Sequence, residues 1–174
     1  MNTRLQVEHG ITEMVYGVDL VYFMLLQCEY EINNSGIPVD ILKSNLKYDT
    51  DGVEIPNGHA IEVRAYAENP VRDFAPSPGI LHNVDLMEDG EYEDYKVRVD
   101  HWISTGGKVS PYFDPLLAKI MVWSPTRTSE NIIKVLKATK IQGVVNNIEY
   151  YHIFLNLKKL VLIPQYKIYQ DVER

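Results

Sequence analysis

The sequence holds one cysteine, Cys28, among 174 residues. A single thiol cannot close an internal disulfide, so the fold must rest on its core, and a reducing, cytoplasmic compartment is expected. Cys28 ends the apolar run LVYFMLLQC and reads as a small core residue rather than a reactive thiol. No apolar stretch reaches the roughly 18 residues that cross a bilayer, so no membrane partner is expected. The first residues lack the apolar centre of a signal peptide and carry Glu8 and Glu13. Positive charge is in deficit. Lys and Arg number 17 against 24 Asp and Glu, a net charge of −7, which argues against nucleic acid as a partner. The five histidines and one cysteine show no zinc spacing. There is no internal repeat and no low-complexity tract.

What is present is ordinary globular material, 45% hydrophobic, with an α+β texture. The alternation in 2–8 predicts a strand. Ile11 to Gln27 predicts a helix, broken near Gly17 and restarted at Asp19 as N-cap, its second half buried because it is apolar on nearly all sides. Residues 33–57, rich in Asn, Asp, Gly and Pro, predict a surface loop and the domain boundary. Beyond it, 59–68, 80–86, 95–102 and 116–123 read as strands of an antiparallel sheet, with a Pro-rich turn at 71–79. The acidic run Glu88 to Asp94 reads as a solvated loop. Residues 129–139 and 146–157 read as helices, the first capped by Thr128 or Ser129, the second by Asn146 or Asn147. Four segments follow: 1–32, a strand plus helices; 33–57, the loop; 58–160, the main domain; 161–174, a frayed tail.

The opening stretch NTRLQVEH carries the chemistry. In a strand, Asn2, Arg4, Gln6 and Glu8 share one face over roughly 20 Å. The bland interpretation is a solvent face. The sharper one notes that a guanidinium fork fits carbonate or phosphate, and that a nearby carboxylate can act as a base. Arg64 lies on a strand face with Glu62 and Tyr66, where a plain surface ion pair would look the same. His9 and His59 read as structural, and Asp114 as a turn organiser before Pro115.

These blocks resemble biotin carboxylase, an ATP-grasp enzyme. NTRLQVEHGITE is similar to its signature. GHAIEVRAYAENP at 58–70, DFAPSPG at 73–79 and VRVDHWISTGGKVSPYFDPLLAKIMVW at 97–123 follow in register. IQGVVNNIEYYHIFL at 141–155 does too, with Asn146 where threonine is usual. The resemblance implies the end of an ATP-grasp lobe at 1–32 and a biotin carboxylase C-terminal domain at 58–160. It implies catalytic roles for three residues: Glu8 as the base toward bicarbonate, Arg4 as the clamp on bicarbonate and carboxyphosphate, and Arg64 at the enolate-like oxygen of biotin. Gln6 and Val7 would line the bicarbonate pocket, and Asn2 would stand at the metal–phosphate end. The implied cofactors are biotin on a carrier domain and ATP with Mg or Mn.

The resemblance also implies sequence before Met1: a metal-binding glutamate and the nucleotide-binding half. The chain is therefore expected to be the carboxy-terminal part of a longer protein, inactive alone. Its implied partners are that amino-terminal half, carrier and carboxyltransferase domains, and a second copy in a homodimer. Gly10, where proline is usual, looks most like the urea carboxylase branch, often fused into urea amidolyase. The alternatives are an acyl-CoA or pyruvate carboxylase fragment, or a non-catalytic domain with a structural or dimerisation role. A carbamoyl phosphate synthetase type of ligase leaves Q-V-E-H together with APSPG unexplained. The 33–57 loop is longer than usual for the family.

Overall fold

A computed structural model describes residues 2–33, 36 and 55–160. Most of the expected 33–57 loop and the 161–174 tail lie outside the described residues. Helices α1 (His9–Tyr16) and α2 (Leu20–Ile32) come first. Strands β1 (His59–Tyr66), β2 (Glu68–Asn69), β3 (Ala75–Pro76), β4 (Gly79–Ile80), β5 (Asn83–Asp85), β6 (Gly90–Glu91), β7 (Lys96–His101), β8 (Lys108–Val109) and β9 (Leu116–Ser124) follow, with a single 3-10 turn at Pro70–Arg72. Then come α3 (Glu130–Ala138), β10 (Lys140–Gln142) and α4 (Ile148–Leu160).

The main sheet is antiparallel, in the order β1-β9-β7-β6. Register explains its two faces. Val63 stands opposite Ile120, which stands opposite Val99, and Ile61 aligns with Val122 and Val97 in the same way. These residues form one apolar face, packed with Ile132, Val135 and Leu136 of α3 and Ile148 and Leu155 of α4. Burying each large aliphatic side chain contributes about 1.5–3 kcal/mol. The intervening residues, Glu62, Arg64, Lys119, Met121, Arg98 and Asp100, occupy the opposite face. Alternation of this kind reads as a solvent face, yet here Met121 is fully buried and Gly10 of α1 lies against it. A Cβ on Gly10 would come 2.3 Å from the Met121 sulfur, so any larger residue there requires the Met121 side chain to shift.

The strand expected at 2–8 is absent. A strand needs a neighbour to complete its ladder, and no described strand pairs with this segment. Instead the chain turns at Val7–Glu8. The His9 N–H donates to the Gln6 carbonyl at 3.2 Å, and α1 begins two residues before the expected Ile11. The break is where it was expected. Gly17 adopts φ +68 and donates to the Glu13 carbonyl, and Asp19 caps α2 by accepting from the Tyr22 N–H at 2.8 Å. The expected burial of α2 does not hold. None of its residues is buried, Leu25 is 66% exposed, and Cys28 is exposed rather than a core residue. Apolar side chains circle this helix, and the described chain covers too little of it. Among the described residues no single helix is long and apolar enough to cross a membrane.

The acidic run is partly structural. Gly90–Glu91 forms the edge strand β6, the Asp89 carboxylate accepts from the Val99 N–H at 2.6 Å, and Glu91 pairs with Lys96. Asp114 organises its turn by accepting from the Leu116 N–H at 2.8 Å. Thr128 accepts from the Glu130 N–H at the start of α3, and Asn146 from the Ile148 N–H at the start of α4.

Candidate functional site

The site is built where the α1 entry crosses the charged face of the sheet. Glu8 is the N-cap residue of α1. Its carboxylate accepts from an Arg64 terminal nitrogen at 2.7 Å, across 56 positions of sequence. Arg64 also donates through Nε to Glu62 at 2.7 Å. Burial works to lower the Arg64 pKa, but the bond and charge of Glu62 outweigh it and hold the guanidinium above its ordinary value. Arg64 therefore stays charged at any working pH.

Arg4, Gln6 and Glu8 all line one open cleft of about 660 Å³, whose apolar wall includes Phe23, Met24 and Cys28 of α2. The structure thus brings three sequence-predicted residues to one cleft without the strand that was expected to align them. Arg4 is exposed, and its terminal nitrogen reaches the Leu5 carbonyl at 3.4 Å. Its fork opens to solvent and can meet a planar anion in two-point fashion. Val7 is not among the residues lining the cleft, and its carbonyl accepts from Lys119 Nζ at 3.2 Å. Asn2 is exposed and outside the cleft lining. Among the described residues no group of three or more His, Cys, Asp or Glu could hold a metal ion. Asn2 alone does not make up such a site, and no chemical step is routed through a metal here.

Several supporting residues escaped the sequence reading. Arg98 donates to Glu13 at 2.5 Å and to both oxygens of Asp100 at 2.8 and 3.0 Å. Lys119 pairs with Asp100 at 2.9 Å while holding the Val7 carbonyl. The other Glu13 oxygen accepts from the Leu20 N–H at 2.8 Å and ties α2 to the same network. His9 is structural, its Nδ1 lying 2.8 Å from the Gln6 carbonyl. The usable signal was charge complementarity on one sheet face: Asp100 lies opposite Lys119, with Arg98 two residues before Asp100 on β7 and Glu62 two residues before Arg64 on β1.

Burial works to raise the Asp100 carboxyl, but the bonds and charges of Arg98 and Lys119 outweigh it and hold it below the usual carboxylate range. A depressed pKa gives stability that is present above the unfolded value, near 4, and is lost as pH falls through the folded value. Urea unfolding should therefore show a constant gap between the wild-type chain and Asp100→Asn from about pH 7 to 5, closing below about pH 4. A gap that persists to pH 2 would remove Asp100 from the network's pH dependence.

A carboxylate, a guanidinium and an amide thus line one cleft beside the antiparallel domain. The sequence profile of the biotin carboxylase C-terminal domain matches residues 62–162, more than half the chain, and the chain belongs to that family. The profile of the carbamoyl-phosphate synthase L chain ATP binding domain matches residues 1–29. A putative urea carboxylase of Emericella nidulans is 46% identical over 151 residues, covering 85% of this chain and 11% of the relative. The crystal structure of the Kluyveromyces lactis urea carboxylase superposes with a TM-score of 0.67 at 36% identity, over 95% of this chain and 14% of that one. The biotin carboxylase domain dimer of Hydrogenobacter thermophilus 2-oxoglutarate carboxylase, solved with MgADP, ADP and bicarbonate, superposes at 0.68 with 31% identity, over 91% of this chain and 31% of that one. The chain spans less than a third of the length of each of these relatives.

Proposed function

We propose that this chain is the carboxy-terminal section of a biotin carboxylase that makes carboxybiotin from ATP, bicarbonate and biotin, within a urea carboxylase. The observation that supports the reading is the Glu8–Arg64 contact at 2.7 Å, a carboxylate against a guanidinium at the edge of the cleft. Glu8 removes the proton from bicarbonate. Arg4, beside it in the cleft, holds the resulting dianion and its phosphorylated form, with Gln6 as further wall and Val7 as the backbone link that Lys119 holds. Arg64 steadies negative charge on the biotin carbonyl oxygen as the ring nitrogen loses its proton. A preorganised cation in a partly dry site is worth several kcal/mol at such a developing charge, on the order of 3. In the resting geometry Glu8 and Arg64 satisfy each other, so substrate entry must separate them. Asn2 belongs to the metal–phosphate end, which the nucleotide-binding half would complete with ATP and Mg or Mn; bound nucleotide supplies the phosphoryl group. The carrier and carboxyltransferase domains complete the partners.

The test is a chimera in which this chain replaces the matched section of the Emericella nidulans protein. Bicarbonate-dependent ATP cleavage with free biotin is expected from the chimera and not from the isolated chain. A folded chimera with no such cleavage overturns the reading. The choice of urea rests on Gly10 and on the 46% identity to a urea carboxylase. Sequencing the DNA that flanks the coding region tests it, and a frame for an acyl-CoA carboxyltransferase there would sink it.

A further inference from the structure

Glu62 stands apart from the cleft lining, yet it is a buried carboxylate next to the Arg64 guanidinium that meets the cleft residue Glu8. It is 7% exposed, and one carboxylate oxygen accepts from Arg64 Nε while the other has no hydrogen-bond partner among the described residues. Its cross-strand neighbour is Met121, which has no donor to offer. A buried, half-satisfied carboxylate is normally removed or fully paired, because each missing bond carries a desolvation penalty. The fold keeps one here, two residues from Arg64 on the same strand face.

The geometry accounts for it. Nε carries a single hydrogen, and Glu62 takes it. That bond, beside a hydrogen-bonding contact with Tyr66, restrains the rotation of the guanidinium plane while a terminal nitrogen meets Glu8. Glu8 cannot serve as the lasting anchor, since its side chain is 37% exposed, lines the cleft and must leave Arg64 to meet a reactant. The Glu62 side chain is 3% exposed and cannot follow. We propose that Glu62 is a positioning residue that holds Arg64 oriented toward the cleft when Glu8 departs. This rests on the carboxylase reading of Arg64 for its functional meaning, though not for the orientation itself.

The experiment follows the Arg64 Nε–H signal in the ¹⁵N spectrum of the full chain, assigned by its loss in Arg64→Lys. Glu62→Met removes the acceptor and leaves an apolar side chain of similar volume; taking away one partner of a largely buried ion pair costs stability, and Arg64 keeps Glu8 as an anionic contact. The variant's amide spectrum should remain dispersed, with Nε–H exchange with solvent at least roughly tenfold faster, as expected for loss of a charged hydrogen bond. Glu62→Gln, which retains an acceptor oxygen, should restore most of the protection. Glu8→Gln should change the rate by less than about twofold. The proposal is overturned if Glu62→Met stays within about twofold of wild type, or if Glu8→Gln speeds exchange as much as Glu62→Met does. In the chimera, Glu62→Met should lower kcat for biotin carboxylation while KM for bicarbonate holds, and an unchanged kcat overturns the positioning role. A chimera inactive with native Glu62 would defeat the carboxylase reading instead, and the exchange measurement would still decide what orients Arg64.

Discussion

Replacing Glu8 by glutamine is expected to lower bicarbonate-dependent ATP cleavage by the chimeric enzyme about 10²- to 10⁴-fold, the range lost with a general base. Glutamine has nearly the same size and keeps an oxygen that can accept from Arg64, so the 2.7 Å contact and the α1 entry should survive. It cannot take a proton at neutral pH. The fall should lie in kcat and kcat/KM together, as for a group that acts only in the transition state. Initial rates of bicarbonate-dependent ADP release, with circular dichroism to confirm the fold, make the measurement. A near-normal rate would take Glu8 out of the base role. It would leave the Glu8–Arg64 pair as a structural link between the α1 entry and the sheet.

Asn147→Ala should produce the largest loss of stability. Asn147 is 2% exposed and stands at the head of α4, where it looks like a helix cap. Its amide instead spans to β1, accepting from the Tyr66 N–H at 2.9 Å and donating to the Arg64 carbonyl at 3.1 Å. The register between β1 and β9 shifts between Ala65 and Tyr66, and the amide serves the backbone groups around that irregularity. Alanine would take one hydrogen bond from each of two partly buried backbone groups, at about 1–3 kcal/mol each. A loss of about 3 kcal/mol and a Tm lower by roughly 10 °C are expected. Urea and thermal unfolding would check both, and a loss below about 1 kcal/mol would show that water replaces the amide there. Since Asn147 holds the backbone of Arg64, the same change should also loosen the site.

How much of this could be read from the sequence depended on whether the local pattern had one physical meaning. β1, β7 and β9 were legible because Val63, Val97, Val99, Ile120 and Val122 alternate and all face one core. The break at Gly17 and the cap at Asp19 were legible because left-handed backbone and an N-terminal acceptor are local needs. The segment 2–8 was not, since alternation shows two faces but not whether a ladder partner exists. α2 failed for a related reason: Leu25 and Met24 are apolar, and apolarity alone does not say what lies beside them. In the site, Arg4, Gln6 and Glu8, which share one side of the sequence pattern, line one cleft, and Arg64 meets Glu8 from the sheet. Arg98, Asp100 and Lys119 were missed, and Glu62 was read only as a plain surface partner of Arg64, because charged residues at alternate strand positions also describe an ordinary wet surface. Only the covering helix, placed by tertiary contact, distinguishes the two.

The contact between Gly10 and Met121 has a consequence for how this chain can vary. Position 10 lies in the segment matched by one family profile and position 121 in the segment matched by the other. With 2.3 Å between a would-be Cβ and the Met121 sulfur, neither can grow unless the other shrinks or moves. The two sites share a single allotment of volume across the seam between the segments. A homologue with a larger residue at 10 should carry a differently shaped side chain at 121, and exchanging one segment between homologues without the other should lift Glu8 from Arg64.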